Sequence, residues 1–362
     1  MKKWTYTLLT FYKFVDLKNP KEEVIIQQKL LSDLGIKGRI YLWEEWISAT
    51  VSGNDGQLWA YRQYLSQHPD FHDISDIDIK STKWLIWHCF DVLRVKYRNE
   101  IVVLGHKFVA ADITKYELKL SVEELKTIID TKDSNWIIRD MRNDYERRLG
   151  HFKNAIPSGT VNFKSVPSFI DKYKAQFGDK KVLMYCTGGI RCTKLSALLA
   201  KEGMKNIYGL DWWIVKYINT YDDGNWLGSL YVFDSRVSQY VWSSKTHITI
   251  AYCNYTDELT DNCENCRYGA CNARITVKPK EYRKYMWFCS QECYQKAKLD
   301  LRIKDINRDK FDYQVIRDDI KNNPQNQTKH ILNVTNYLDS RLKDLSRKHL
   351  TSQKEDYIDC SC

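Results

Sequence analysis

Residues 5–15 (TYTLLTFYKFV) are dominated by β-branched and aromatic side chains and read as a strand. Residues 20–34 begin with Pro20 at a helix N1 position and carry apolar side chains at Val24, Ile25, Leu30, Leu31 and Leu34. Gly35 then ends the helix. RIYLWEEWISATVSG (39–53) reads as a strand pair, QLWAYRQYL (57–65) as a second helix, and VLRVKYRNEIVVLG (92–105) as a long strand. The order predicts one α+β layer pair in which 92–105 joins 5–15 in one sheet.

Residues 106–120 read as a connector. A helix follows over SVEELKTIID (121–130), where Ser121 and Glu124 form a capping box. NWIIRD and KKVLMYC (180–186) are apolar strands of the fully buried kind, TKLSALLAKEG is a helix closed by Gly203, and NIYGL (206–210) is a short strand. Strands alternating with helices mark a parallel sheet covered on both faces. The predicted architecture is therefore multidomain, α+β and α/β. A ferredoxin-like sandwich spans residues 1–110 and a parallel-sheet domain 120–226. A cysteine-rich lobe follows over 227–296 and a basic helical tail over 297–362.

Charge and cysteine usage narrow the partners. The net charge is +10, from 56 basic and 46 acidic residues, which suits an anionic partner, nucleic acid first, or simply a soluble surface. Arg94, Lys96 and Arg98 alternate along the predicted strand 92–105 and so share one face, able to track phosphates or to stand solvated. Residues 296–350 hold 13 Lys/Arg against 8 Asp/Glu, a second basic region. No apolar run is long enough to cross a membrane, and WTYTLLTFYKFV lacks the cleavage site of a secretory signal. The 11 cysteines are accordingly expected to be reduced, in a cytoplasmic protein with no disulfide-linked partner.

The segment MYCTGGIRC sets Cys186 at the carboxyl end of a strand and opens a helix a few residues later. A thiolate is the reactive form of cysteine, and its pKa falls at a helix N-terminus beside a cation. Thr187, Gly188, Gly189, Ile190 and Arg191 form an anion-binding loop: backbone N–H groups line it, the glycines let it curl, and Arg191 adds a charged donor. A cysteine at a strand end more often packs as a small hydrophobe, but strand, Cys, Gly-Gly, Arg and helix together point to a nucleophile. A cysteine-phosphatase cradle is typically one residue longer than the four that separate Cys186 from Arg191, which favours sulfur chemistry. Cys192 is read as a packing residue, with a resolving thiol as the alternative. Upstream, DMRNDYERRLGHFKNAIP (140–157) resembles the rhodanese pattern of Asp, Arg, Glu and Gly-His ahead of Ala-Ile-Pro. Asp140, Arg142 and Glu146 are expected to brace the loop from beneath, with Gly150 and His151 shaping a turn.

DMRNDYE, GHF, AIP, YCTGGIRCTK and GSLYVFDSRV (228–237) together resemble the bacterial tRNA uridine-34 hydroxylase family. YKFVDL, EEWISATVSG, VKYRNEIVVLG and the cysteine-rich segment fit the same resemblance, which covers about residues 5–295. It implies a ferredoxin-like domain, a central rhodanese domain and a cysteine-bearing C-terminal region. It also implies formation of 5-hydroxyuridine at the wobble position, with molecular oxygen as co-substrate, the tRNA anticodon region as partner and Cys186 as the active-site cysteine. Two rivals stay open: a sulfurtransferase carrying a persulfide on Cys186, and a non-catalytic RNA- or protein-binding module.

Cys263-x2-Cys266 and Cys289-x3-Cys293, with 22 residues between the pairs, have the spacing by which two loops present four thiolates to a structural zinc. Cys271 and Cys253 are alternates, and the competing reading is a lobe of packed, reduced thiols; Cys360 and Cys362 are incidental. The chain departs from the family pattern at Trp46, Trp212 and Trp213, where the family usually has glycine. Only 15 of 362 residues are glycine while 12 are tryptophan, so UGA codons meaning glycine and read as tryptophan would explain both facts; divergence is the other explanation.

Overall fold

The computed structural model describes residues 6–71, 80–85, 88–100, 102, 104, 118–160, 163–211, 213–221, 224–241, 247–271, 273–304 and 311–351. Most of the connector 106–120, Trp212, Cys360 and Cys362 lie outside them. The chain divides into two compact units, Met1–Ile248 and Thr249–Cys362.

The first unit opens with a five-stranded sheet of β1 (Tyr6–Phe14), β2 (Lys37–Trp43), β3 (Trp46–Gly53), β4 (Lys80–Leu85) and β5 (Leu93–Tyr97), in the order β4-β1-β3-β2-β5. The first four positions are the 4-1-3-2 arrangement of a ferredoxin-like sandwich, antiparallel throughout. Alternate residues Leu9, Phe11, Ile40, Leu42, Ile47, Val51 and Val95 bury one face beneath the helices Pro20–Asp33 and Asp55–Gln67. The strand expected over 92–105 joins this sheet, but not beside β1. Its described part, β5, pairs in parallel with β2 at the far edge, and β4 flanks β1 instead. The segment KSTKWL of β4 alternates too weakly to read as a strand from its pattern.

Trp46 pairs with Phe14 and Trp43, is 2 % exposed, and has no left-handed backbone, so nothing in its conformation demands glycine. Trp213 opens the helix Trp213–Thr220.

A second sheet comprises β6 (Leu118–Leu120), β7 (Trp136–Asp140), β9 (Ile156–Pro157), β10 (Lys181–Tyr185) and β11 (Ile207–Leu210), in the order β6-β11-β10-β7-β9 with every pairing parallel. Between β7 and β9 lies β8 (Gly150–Phe152), which pairs with β12 (Trp226–Gly228), and β13 (Leu230–Tyr231) pairs with β14 (Ser238–Gln239). Central β10 is buried on both sides. Val182 and Met184 enter a core with Leu195, Tyr173 and Phe177. Leu183 and Tyr185 enter another with Leu125, Ile214 and Tyr217. Each such apolar side chain contributes about 1.5–3 kcal/mol by leaving water. The capping box holds: Ser121 Oγ accepts from the Glu124 N–H at 3.1 Å and Glu124 Oε2 from the Ser121 N–H at 2.8 Å.

In the second unit, β15 (Cys263–Asn265) and β16 (Arg274–Thr276) form a hairpin. The helices Gln291–Asp300, Tyr313–Asn322 and Gln327–Thr351 share a core built on Phe288, Tyr294, Tyr313, Val334 and Leu338. Among the described residues no helix is long and apolar enough to cross a membrane.

Candidate active site and cysteine cluster

Parallel pairing of Tyr185 with Asp140 brings the ends of β10 and β7 side by side, and Cys186 follows directly on β10. Its side chain is 2 % exposed. The chain then turns through Gly189, whose φ of +77° is a left-handed conformation suited to glycine, and enters the helix Ile190–Lys201. The first turn of a helix leaves backbone N–H groups without intrahelical partners. Here the Arg191 and Cys192 N–H groups donate to the Cys186 sulfur. Burial alone would push the Cys186 thiol up. The Cys192 thiol donating to it, the Arg191 charge and those two N–H groups outweigh burial and bring it down to about 5. Cys192 is pushed well up by burial and by the adjacent Cys186, so the shared proton stays on Cys192. Cys192 does pack in the core, as its sequence position suggests, but it is also a donor to the reactive sulfur.

The expected single brace is in fact two buried ion pairs. Arg142 grips Asp140 through Nε at 2.9 Å and Nη2 at 2.5 Å, and Tyr185 donates to the same carboxylate at 2.8 Å. Glu146 instead pairs with Arg191, at 2.7 and 2.6 Å, and accepts from Thr187 Oγ1 at 3.2 Å. Glu146 therefore ties down both ends of the loop. Arg191, expected to donate to a bound anion, commits Nη1 and Nη2 to Glu146 and acts on Cys186 through its charge.

His151 lies on β8 with Nδ1 3.0 Å from the Arg147 carbonyl, and burial lowers its pKa, an arrangement suited to a scaffold. At Gly150 a β-carbon would stand 2.2 Å from the Ser229 carbonyl oxygen, so only glycine fits there. Sequence reasoning passed over Tyr185 and Phe152. The Phe152 ring packs edge-on against Tyr185, Tyr217 and Trp226 behind the Asp140–Arg142 pair. Arg94 and Lys96 are exposed on β5 and Arg98 is exposed just past its end.

In the second unit the sulfurs of Cys266, Cys271, Cys289 and Cys293 all lie within 4.8 Å of one another, a group that could hold a metal ion. Cys289 is 3.6 Å from Cys271 and 3.4 Å from Cys293. Four thiolates about 2.3 Å from a tetrahedral zinc stand about 3.8 Å apart, so the cluster needs little adjustment to fit one. The Cys289 N–H donates to the Cys266 sulfur at 3.4 Å. Cys263, expected as a ligand, is outside the group and Cys271 takes its place. Cys263 lies on β15, paired with Thr276, while Cys266 follows the strand's end and joins the group. Burial pushes the Cys263 thiol up to about 12. Cys253 also stands apart, with the Lys278 N–H 3.5 Å from its sulfur.

Residues 6–101 match the family model of the UPF0176 acylphosphatase-like domain, 121–220 that of the rhodanese-like domain and 227–294 that of the rhodanase C-terminal domain. A Chlamydia trachomatis serovar D protein named tRNA uridine(34) hydroxylase is 32 % identical over 301 residues, covering 81 % of this chain and 88 % of that one. A Bacillus licheniformis protein of the same name is 35 % identical over 292 residues, covering 80 % and 88 %. A solved rhodanese-like domain from Anabaena matches 31 % of this chain and 80 % of its own at 16 % identity, with a TM-score of 0.27, too low to carry an argument.

Proposed function

This chain belongs to the tRNA uridine(34) hydroxylase family, and we propose that it hydroxylates uridine 34 in the anticodon region of tRNA, with Cys186 as the reacting group and molecular oxygen as co-substrate. The observation that carries the assignment is the placement of Cys186 at the end of a central parallel strand and the start of a helix, beside the Glu146-anchored Arg191, where the Cys192 thiol, the Arg191 charge and the loop amides draw its thiol down. Ligands of open α/β sheets bind at that edge. A cysteine that serves only as packing has no use for donors aimed at its sulfur. Thr187, Gly188, Gly189, Ile190 and Arg191 shape the anion-favouring loop, while Asp140, Arg142, Glu146 and His151 hold it in place. Oxygen insertion at a C–H bond turns the second oxygen atom into water and consumes two further electrons, so a two-electron reductant belongs in any assay. A tRNA substrate and reduced thiols fit work in the cytoplasm.

The test is nucleoside analysis of bulk tRNA from cells lacking the gene, complemented by wild type or by Cys186→Ser. Wild type should restore 5-hydroxyuridine derivatives and the variant should not, while both fold equally well by thermal melting. A nucleoside profile unchanged by deletion sinks the reading, and efficient conversion of thiosulfate and cyanide to thiocyanate would favour a sulfurtransferase.

The cysteine cluster fits one structural zinc on Cys266, Cys271, Cys289 and Cys293. Elemental analysis of protein purified without chelator should give about one zinc per chain. Cys271→Ser should lose it and Cys263→Ser should keep it; a folded, metal-free wild type refutes the site.

A further inference from the structure

We propose that the outer, basic margin of the helix-free face of the first sheet is the surface on which the tRNA's anticodon arm docks, an inference that rests on the hydroxylase reading and adds the route to Cys186. The part of that face nearer β1 is covered where Leu8 packs on Cys89 and Phe90 and Arg39 donates to the Phe233 carbonyl at 3.2 Å. The strand registers align two rows of side chains across that face. One row runs Thr10, Thr50, Arg39, Arg94, and the next runs Tyr12, Ser48, Tyr41, Lys96. Strand alternation sends the apolar neighbours of these residues toward the helices. Arg39, Arg94, Lys96 and Arg98 are exposed and the others half-buried, and neither row contains an acidic residue. The Arg98 guanidinium lies over the Tyr41 ring at 5.7 Å. A basic margin with an aromatic ring beside it is the chemistry that holds single-stranded RNA: phosphates on the cations and a base on the ring.

The inner end of the second row reaches the active site. Tyr12 Oη is 3.3 Å from Thr193 Oγ1, and that hydroxyl donates to the carbonyl of Gly189 in the Cys186 loop at 3.4 Å. From β1 to β5 the sheet spans three strand spacings, roughly 14 Å. A nucleotide entering the loop can thus leave its neighbours' phosphates on Lys96, Arg94 and Arg98. A row with no acidic residue gives an acidic protein the same attraction, but such a partner makes no use of the path to Cys186.

The test is filter binding of a uridine-34 tRNA transcript to the full chain carrying Arg94→Ala, Lys96→Ala and Arg98→Ala together, over a range of salt. Loss of three phosphate contacts should weaken binding about 10- to 100-fold and flatten the slope of log Kd against log salt by about 2. Steady-state assays should show the change mainly in KM for tRNA. Tyr41→Ala should cost about tenfold in affinity while Tyr41→Phe keeps it. All the substituted side chains except Tyr41 are exposed, so the triple variant should melt with wild type. Wild-type affinity and salt slope in the triple variant overturn the proposal. Weakened tRNA binding in a protein that makes no 5-hydroxyuridine upholds the surface and sinks the hydroxylase reading instead.

Discussion

Cys186 should titrate near pH 5 in the folded protein, against an ordinary value of 9.0. Burial works against this, so the hydrogen-bond donors must supply more than burial removes. At about 5 the sulfur is about 99 % thiolate at pH 7, whereas an ordinary thiol is only a few per cent ionised. The folded value lies below the unfolded one. The stability this ionisation contributes is therefore complete above the unfolded value and is lost as pH falls through about 5. The assay is the far-ultraviolet thiolate absorbance of wild type minus that of Cys186→Ser, from about pH 4 to about pH 10, because absorbance does not depend on reagent access to a buried sulfur. The donor thiol of Cys192 gives an internal check. A hydrogen bond to a charged acceptor is worth about 1.5–3 kcal/mol, so Cys192→Ala should raise the midpoint by about one to two pH units. Cys192→Ser retains a donor and should leave the midpoint close to wild type. A wild-type midpoint near 9.0, or identical midpoints for the alanine and serine variants, would refute this account of the loop.

Two further outcomes follow from the same geometry and from the sequence. Glu146→Gln leaves the buried Arg191 charge without its counter-ion and should cost about 3–5 kcal/mol in a denaturant melt; an unchanged midpoint contradicts the pairing. The codons for Trp46, Trp212 and Trp213 should read TGA in the source gene, and TGG at all three ends the idea that they stand for glycine.

The central sheet was readable because its strands announce themselves. VLMYC (182–186) is an unbroken apolar run, as a strand covered on both faces must be, and Ser121 with Glu124 marks a helix start from local chemistry alone. The first sheet was readable only in part. β1, β2 and β3 carry one buried face each, but KSTKWL in β4 offers few apolar residues to a pattern search. With β4 unseen, β5 was left as the natural partner for β1, and only the registers show that two strands intervene.

Around Cys186 the residue types were legible and their pairing was not. Asp140, Arg142, Glu146 and Arg191 are four charges that could satisfy one another in more than one way, and sequence distance is a poor guide. Asp140 takes the arginine two positions on, while Glu146 takes one 45 positions away. The metal-ligating set failed similarly: Cys263-x2-Cys266 has knuckle spacing, but Cys263 is held within β15 while Cys266 lies past its end, and Cys271 fills the gap from the hairpin turn. Cys192 was the subtlest case. A cysteine on a buried helix looks like packing, yet it sits in the first turn, where its own N–H is free to point back at the loop. Side chain and backbone of one residue then donate to the same sulfur. The helix start that lowers the Cys186 pKa through its amides thus also supplies the thiol that lowers it further, and a substitution at Cys192 removes the thiol while leaving the amide in place.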